Sequence, residues 1–259
     1  MPFDRTVFFK TIRSSLFDGT LRRPQVEGLS AILDRWDLMP APADRRWLAY
    51  MLATAHHETG RTMQPVRETF AASDDRAIAV LDAAFRRGRL PSVSVPYWRR
   101  DGEGRSWLGR GLVQLTHKAN YEKMTTVTGI DLVGHPERAM DIAVAVDILF
   151  TGMQGGAFTG KRLADYFSTA REDWSGARRI INGRDKAQLV AGYGKQYFAA
   201  LGLASGTSAA VGGFAALRPE YDDTALPLIR PVGHLLPVNG EKEGAANSVI
   251  PSPRLRGEG

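Results

Sequence analysis

The chain has 259 residues, a formal net charge of +6 and no cysteine. This length allows one large domain or two small ones, and the absence of cysteine excludes disulfides, thiolate nucleophiles and cysteine-ligated zinc. No stretch reaches the roughly 18 consecutive apolar residues of a membrane span, and the N-terminus lacks the apolar segment of a signal peptide. We therefore expect synthesis in the cytoplasm without a signal peptide, and no membrane insertion.

The positive charge indicates an anionic partner, and the candidates are nucleic acid, a membrane surface and an acidic cell wall. The arginines occur as pairs scattered along the chain rather than on one helix face. That distribution is typical of solvated surface, so charge alone does not select the partner.

The first strong helix signal lies in the stretch ADRRWLAYMLATAHHETG. Its apolar residues recur at three- and four-residue spacing, which predicts a helix from about Asp44 to His57 or Glu58, ended by Gly60. Glu58 then stands at the end of the buried face. Ser73 predicts the start of a second helix, DDRAIAVLDAAFRR, which the glycine after it ends.

Residues 90–110 are rich in proline, glycine, serine and charge, with aromatic residues interleaved. This composition is typical of a surface loop or an irregular hairpin over a cleft. The following GRGLVQLT predicts a short extended segment in which Gln114 and Thr116 share one face. Thr116 is then expected to begin a helix that Gly129 ends.

Three further helices are predicted. Pro136 opens one in ERAMDIAVAVDILFTGM, and the others run from about 173 to 181 and from 186 to 200. Strand signals are few, so the sequence predicts a mostly helical single domain. Beyond residue 203 the composition becomes that of a flexible linker and a proline- and glycine-rich tail. We expect residues 204–259 to be a low-complexity, poorly ordered extension, with a short binding appendage as the alternative.

The run AHHETGR raises the question of a metal site. A zinc-protease helix carries HExxH, in which two histidines four positions apart lie on one face. Here Arg61 occupies the second ligand position, and Gly60 ends the helix before it. The remaining histidines have no ligand spacing. We therefore expect neither a metal nor a cofactor.

The same run offers a carboxylate for cleaving a glycosidic bond. An inverting glycosidase uses one protonated acid and one ionised carboxylate that activates water on the opposite face of the sugar. Glu58 suits the acid, because the negative end of the helix dipole and partial desolvation both favour protonation. The alternative is that Glu58 is an ordinary solvated group at a helix end.

The second carboxylate is Glu68, which lies beyond Gly60 and Pro65 in a separate segment. The break in the helix lets it face the first acid across a cleft. We expect Arg67 beside it, and the wetness of a loop, to keep it ionised.

The stretch GRGLVQLTHKAN places glycines beside amide and hydroxyl side chains. Gly109 and Gly111 permit a close backbone approach. Gln114 and Thr116 supply groups that hydrogen-bond sugar hydroxyls or hold a water. The alternative interpretation makes Thr116 a plain helix N-cap and the glycines a turn. The stretch is neither a P-loop nor a dinucleotide fingerprint.

Four pieces, AHHETG, VRE, GRGLVQLTHKANY and RRIING, occur in this order between residues 55 and 183. Together they resemble the family-19 glycoside hydrolases, which include the class I type chitinases and the chitinase-like endolysins of phages and prophages. The resemblance implies a mainly α, lysozyme-like fold with little β structure and a central cleft between two lobes.

The resemblance also implies roles for individual residues. Glu58 matches the general acid, and Glu68 looks like the second carboxylate. Thr116 matches the Ser or Thr that positions the attacking water. Residues that match sugar-binding positions of the cleft are Gln114, Asn120, Tyr121 and Asn182, the last of which also helps to hold the water.

Two departures favour the endolysin branch. Plant-type chitinases place the second glutamate much further from the first and carry disulfides, whereas here the spacing is ten residues and cysteine is absent. The short spacing keeps Asp74, Asp75 and Asp101 open as alternative bases.

The resulting hypothesis is a glycosidase, formed by residues 1–203, that cleaves the β-1,4 bonds of peptidoglycan by inversion after its release to the cell wall. A chitinase acting on N-acetylglucosamine polymers is the alternative within enzymes. A non-catalytic protein that binds cell wall or nucleic acid is the alternative from another class. On the leading hypothesis the partner is a peptidoglycan or chitin-type glycan, no nucleic acid is bound, and the protein is a monomer.

Overall fold

Helices dominate the computed structural model, which describes residues 3–40 and 43–206. The prediction of a mainly helical fold is confirmed. The predicted extension at 204–259 lies outside the described residues, apart from 204–206. The α-helices of the described ranges are α1 (Arg5–Leu16), α2 (Arg23–Asp37), α3 (Arg45–Glu58), α4 (Asp74–Arg86), α5 (Lys118–Thr128), α6 (Ile142–Gly155) and α7 (Ala187–Ala204).

Extended structure is limited to two short antiparallel pairs in the described part of the chain. The first pair matters for the site, because it joins the segment after α3 to the GRG stretch, with Val66 opposite Gly111 and Arg67 opposite Arg110. Short 3-10 helices fill several connections. The strands are β1 (Val66–Arg67), β2 (Arg110–Gly111), β3 (Phe167–Ser168) and β4 (Arg171–Glu172), and the 3-10 helices are Glu68–Phe70, Pro136–Met140, Leu163–Asp165 and Gly176–Ile180.

Local capping explains where three helices begin or end. The Asp44 carboxylate accepts the Arg46 N–H at the start of α3, and the Ser73 hydroxyl accepts the Arg76 N–H at the start of α4. Gly129 ends α5 in the left-handed conformation that glycine adopts without steric cost. These predicted boundaries are confirmed.

Helix α3 is the central helix of the main hydrophobic core. Every residue of Leu48–His56 is buried, and so is Glu58, because α7 packs along one side and α2 and α6 contact others. A helix that is buried on all faces carries its polar groups into the interior. The carboxylate at its C-terminal end is therefore withdrawn from water.

A second, smaller apolar cluster lies between α4 and the 90–110 segment. Trp98 is at its centre, fully buried, with its ring edge against Phe85 and its indole N–H donated to Asp82 at 2.8 Å. The expectation of a plain surface loop is therefore wrong for this tryptophan. The aromatic side chain gives the irregular segment a core of its own.

Two predicted helices differ in extent from the structure. The proline-led helix is confirmed over α6, but its first turns form the separate 3-10 helix Pro136–Met140, because extended backbone at Asp141 interrupts the segment before α6 begins at Ile142. The segment predicted at 173–181 forms only the 3-10 helix Gly176–Ile180. None of the helices in the described ranges combines the length and hydropathy that crossing a bilayer requires.

Candidate active site

Glu58 lies in a buried ion pair at the end of α3. The Arg178 Nη1 atom donates to Glu58 Oε1 at 2.5 Å, and the two residues are 1% and 2% exposed. The same guanidinium donates from Nε to the Asp185 carbonyl at 3.0 Å. Glu58 Oε2 is buried and has no hydrogen-bond partner among the described residues. One oxygen is thus fixed by a cation while the other has its hydrogen-bonding capacity unused.

Sequence reasoning missed Arg178. It belongs to the quoted RRIING motif, but an arginine pair in sequence does not show which member is buried. The only sequence signal for its burial is the apolar pair Ile180-Ile181 that follows, and both isoleucines are buried. A buried arginine needs an internal counter-charge, and Glu58 supplies it for Arg178.

Glu68 is held by three hydrogen bonds in the turn after β1. Its N–H donates to the Gly109 carbonyl at 2.7 Å, its Oε2 accepts the Gly109 N–H at 2.8 Å, and its Oε1 accepts the Tyr97 hydroxyl at 2.7 Å. The side chain is buried, with the residue 5% exposed. The orientation of this carboxylate is therefore fixed before any ligand binds.

Burial controls the protonation of Glu68. It raises the pKa of the carboxyl group above its ordinary value, and the opposing effects of the Gly109 N–H, the Tyr97 hydroxyl and the Arg110 guanidinium are smaller. The expected surroundings of Glu68 are wrong, because Arg67 pairs with Asp74 at 2.7 Å and the Glu68 side chain is buried rather than in a wet loop.

Gly109 is the point at which several predicted residues meet. A Cβ atom at this position would lie 2.9 Å from Gln114 Oε1, 3.2 Å from Thr116 Cγ2 and 3.3 Å from Glu68 Cβ. These separations are shorter than ordinary contacts, so a larger residue here would displace the Gln114 amide and push against its neighbours. The structure thus brings Glu68, Gln114 and Thr116 together around one backbone position.

The GRGLVQLT stretch is extended only at β2 (Arg110–Gly111) and then closes into a turn. The Arg110 N–H donates to the Leu115 carbonyl and the Leu115 N–H donates back, while Gln114 has φ 53° and its amide donates to the Val66 carbonyl at 2.9 Å. All residues of the turn are buried. The predicted alternation of faces is therefore wrong, since the turn is closed by contacts that the local pattern does not encode.

Thr116 does not cap α5, contrary to expectation. His117, with φ 65°, stands at the N-cap position. The Thr116 hydroxyl is buried and finds no hydrogen-bond partner in the described part of the chain, while its carbonyl accepts the Asn120 amide at 2.8 Å. This hydroxyl makes no hydrogen bond within the described residues and lies beside the Glu68 loop. It is therefore available to bind a water or a ligand oxygen.

Arg110 and Tyr121 support the turn from inside. The Arg110 guanidinium donates to the Tyr121 hydroxyl at 2.8 Å and to the Ser106 carbonyl at 2.9 Å, and the Tyr121 hydroxyl donates to the Leu108 carbonyl at 2.9 Å. Both side chains are fully buried. Tyr121, predicted as a cleft residue, therefore holds the loop in place in the free protein and does not line a surface.

The three alternative bases already have partners. Burial would raise the pKa of Asp74, but the Arg110 and Arg67 guanidiniums outweigh it and hold that pKa below the usual range. Asp75 is exposed and pairs with Arg100 at 2.6 Å. Asp101 accepts two backbone N–H groups of its own turn.

Asn182 lies beside the Glu58 ion pair. Its N–H donates to the Arg178 carbonyl at 2.9 Å, and its side-chain oxygen accepts the Gly183 N–H at 2.7 Å. The predicted residues therefore form two groups: Glu58 and Asn182 are linked through Arg178, and Gln114 and Thr116 lie with Glu68 around Gly109.

His56 of the AHHETG stretch is enclosed by aromatic side chains. Burial lowers the pKa of His56 to about 3, and its ring packs between Phe17 and Tyr193 and shares a hydrogen bond of 2.9 Å with the Tyr197 hydroxyl. Over residues 3–40 and 43–206, no three histidine, aspartate or glutamate side chains come together in a group able to hold a metal ion.

Backbone strain concentrates around the two carboxylates. Eight non-glycine residues of the described ranges have positive φ, and six of them lie in the segments 61–70 and 114–117. Each such residue costs on the order of 1–3 kcal/mol, and strain of this kind is typical of functional sites. The six are Arg61, Met63, Thr69, Phe70, Gln114 and His117.

Comparison of the chain with family models, with curated proteins and with solved structures returned no match. What the protein does must therefore be inferred from the residues and geometry of this site.

Proposed function

We propose that the chain is a glycoside hydrolase that cleaves the β-1,4 bonds of peptidoglycan, with Glu58 and Glu68 as its acid and base. The observation that carries the proposal is the pair of buried carboxylates, one at the end of α3 and one in the strained turn after β1. Burying a carboxylate is unfavourable unless it is paired or hydrogen-bonded, and even a buried ion pair often contributes no more stability than apolar residues of similar size. Two buried carboxylates in adjoining segments therefore favour a functional role.

The proposed roles follow from the free and occupied oxygens. Glu58 is held through Oε1 by Arg178, which leaves Oε2 to take up a proton from solvent when the covering groups move and to deliver that proton to the leaving oxygen. Glu68 accepts a proton from water, and the Thr116 hydroxyl near Gly109 holds that water. The result is a single displacement with inversion. Both carboxylates are covered in the free protein, so binding of a glycan requires the covering groups to move.

A lysozyme-like arrangement of two lobes is part of the proposal. The main hydrophobic cluster around α3 and the smaller cluster around Trp98 supply one core each. Glu58 ends a helix of the first, while Glu68 is hydrogen-bonded to Tyr97, which packs on the second. We place the glycan between the two clusters.

Product analysis tests the proposed function. The purified protein is incubated with bacterial peptidoglycan and, separately, with soluble N-acetylglucosamine oligomers. We expect new reducing ends from peptidoglycan, and the initial anomer of the product is expected to be inverted. Greater turnover of the oligomers would assign a chitinase instead. Binding to either glycan without any new reducing ends would contradict hydrolysis and favour a non-catalytic wall-binding protein.

Tyr97→Phe is expected to move the acidic limb of the pH–rate profile to higher pH. Glu68 must be ionised to act as a base, so activity falls as the pH drops through its raised pKa. Removing the Tyr97 hydroxyl deletes a hydrogen bond that favours the ionised form, so the pKa rises further. The measurement is kcat/KM against pH, with Tyr166→Phe as the control, and an unshifted limb in Tyr97→Phe would remove Glu68 from the base role.

A further inference from the structure

Phe70 is the one exposed side chain among the phenylalanines, tyrosines and tryptophans of the described residues. It is 42% exposed, whereas the others are buried or partly buried. A large aromatic ring in water is unfavourable, because apolar surface is stabilised by removal from water. The ring is therefore a candidate for contact with a ligand.

The backbone that presents the ring is strained. Thr69 has φ 64° and Phe70 has φ 56°, so two consecutive non-glycine residues are left-handed directly after Glu68. This conformation is a genuine outlier for a β-branched residue such as threonine. The Thr69 hydroxyl is also buried and lacks a hydrogen-bond partner in the described ranges. Folding alone does not explain three unfavourable features at adjacent positions.

The ring lies between the segments that carry the two carboxylates. A Cβ atom on Gly60 would stand 3.1 Å from Phe70 Cζ, so the ring rests on the backbone two residues after Glu58. Its own backbone stands two residues after Glu68. A larger residue at position 60 would push the ring outward, and the φ of 55° at this position also favours glycine. The strained turn thus directs an apolar ring to the edge of the proposed site.

We propose that Phe70 is a stacking platform for one pyranose ring of the glycan, held beside Glu58 and Glu68. A pyranose presents its C–H groups on one face, which packs on an aromatic ring, while its hydroxyl and N-acetyl groups remain free for hydrogen bonds. This subsite rests on the proposed function, and its chemical class of ligand is a β-1,4-linked N-acetylhexosamine chain.

Binding measurements on the full chain test the subsite. The parent protein for binding carries Glu68→Gln, which prevents turnover. N-acetylglucosamine oligomers and purified peptidoglycan are each titrated into this parent. The same titrations are made with the parent that also carries Phe70→Ala, Phe70→Leu, Phe70→Trp or Phe70→Gly. We expect binding about five-fold weaker with alanine, leucine or glycine and retained with tryptophan, since only a planar ring stacks. In the chain with Glu68 intact, Phe70→Ala is expected to raise KM and to leave kcat nearly unchanged.

Phe70→Gly separates loss of binding from loss of folding. Glycine adopts φ 56° without strain, so this variant is expected to unfold at the same or higher denaturant concentration while it binds more weakly. Leu203→Ala, at a 56% exposed apolar residue on α7, is the matched control and is expected to bind normally. Normal binding by Phe70→Leu would overturn the stacking platform, as would a fall in kcat alone. If the parent chain binds and cleaves neither glycan, the proposed function fails and the subsite with it.

Discussion

Glu58→Gln is expected to lower the turnover of peptidoglycan by about 10²- to 10⁴-fold, the contribution typical of a positioned general acid. The substitution preserves the size of the side chain, but an amide at the Oε2 position cannot deliver a proton to the leaving oxygen. The measurement is kcat from the release of reducing ends. Glu137→Gln, at an exposed glutamate, is the matched control and is expected to behave as the wild type.

The ion pair with Arg178 adds a separate effect on stability. Removing the Glu58 charge leaves a buried guanidinium without a counter-charge, which costs on the order of 3–5 kcal/mol of unfolding free energy when such a pair is broken. The double variant Glu58→Gln with Arg178→Met removes both charges. We expect it to regain most of the lost stability in denaturant unfolding and none of the activity. Near-normal turnover by a folded Glu58→Gln protein would contradict the acid assignment.

The parts of the fold that sequence predicts are those set by short-range interactions. Asp44, Ser73 and Gly129 mark helix ends through contacts within four residues, so their signals survive without tertiary information. The withdrawal of Glu58 from water is also readable, because the apolar stretch before it continues to the helix end. Its burial is deeper than one apolar face would give, since α3 is covered on several sides.

The parts that sequence does not predict are set by distant segments. Arg178 reaches Glu58 across 120 positions, and Tyr97 reaches Glu68 across 29. The alternation of polar and apolar residues in GRGLVQLT is compatible with a strand, and the closure of the turn depends on the Gln114 amide reaching Val66. Periodicity and spacing contain no information about these contacts.

The same limit explains the error about Glu68. Arg67 is its neighbour in sequence, but Arg67 ends β1 and its guanidinium pairs with Asp74, whereas Glu68 begins the following turn. The environment of Glu68 comes instead from Gly109 and Tyr97. Burial favours the protonated form of Glu68, and its two hydrogen bonds offset this effect only in part. The carboxylate is therefore suited to take up a proton. This property is what a general base needs.

Glu68→Gln is expected to lower kcat on peptidoglycan by about 10²- to 10⁴-fold and Asp74→Asn far less, because Glu68 takes the proton from water whereas Asp74 pairs with arginines. The two variants are expected to differ in the opposite sense in stability. Asp74→Asn leaves the fully buried Arg110 guanidinium without its carboxylate, so its unfolding free energy falls by up to about 3–5 kcal/mol. The comparison therefore needs kcat per folded molecule, measured beside a denaturant titration.

Asp75→Asn is the matched control for this comparison, because Asp75 neighbours Asp74 but is exposed and pairs with Arg100 at the surface. An exposed pair contributes at most about 1 kcal/mol, so this variant is expected to keep both kcat and stability. If Asp74→Asn loses more activity per folded molecule than Glu68→Gln, the base is Asp74 and the buried carboxylate on Gly109 is structural. If Glu68→Gln loses activity and keeps its stability, burial of Glu68 serves catalysis and not folding. This outcome is typical of active sites, where residues are selected for function at a cost in stability.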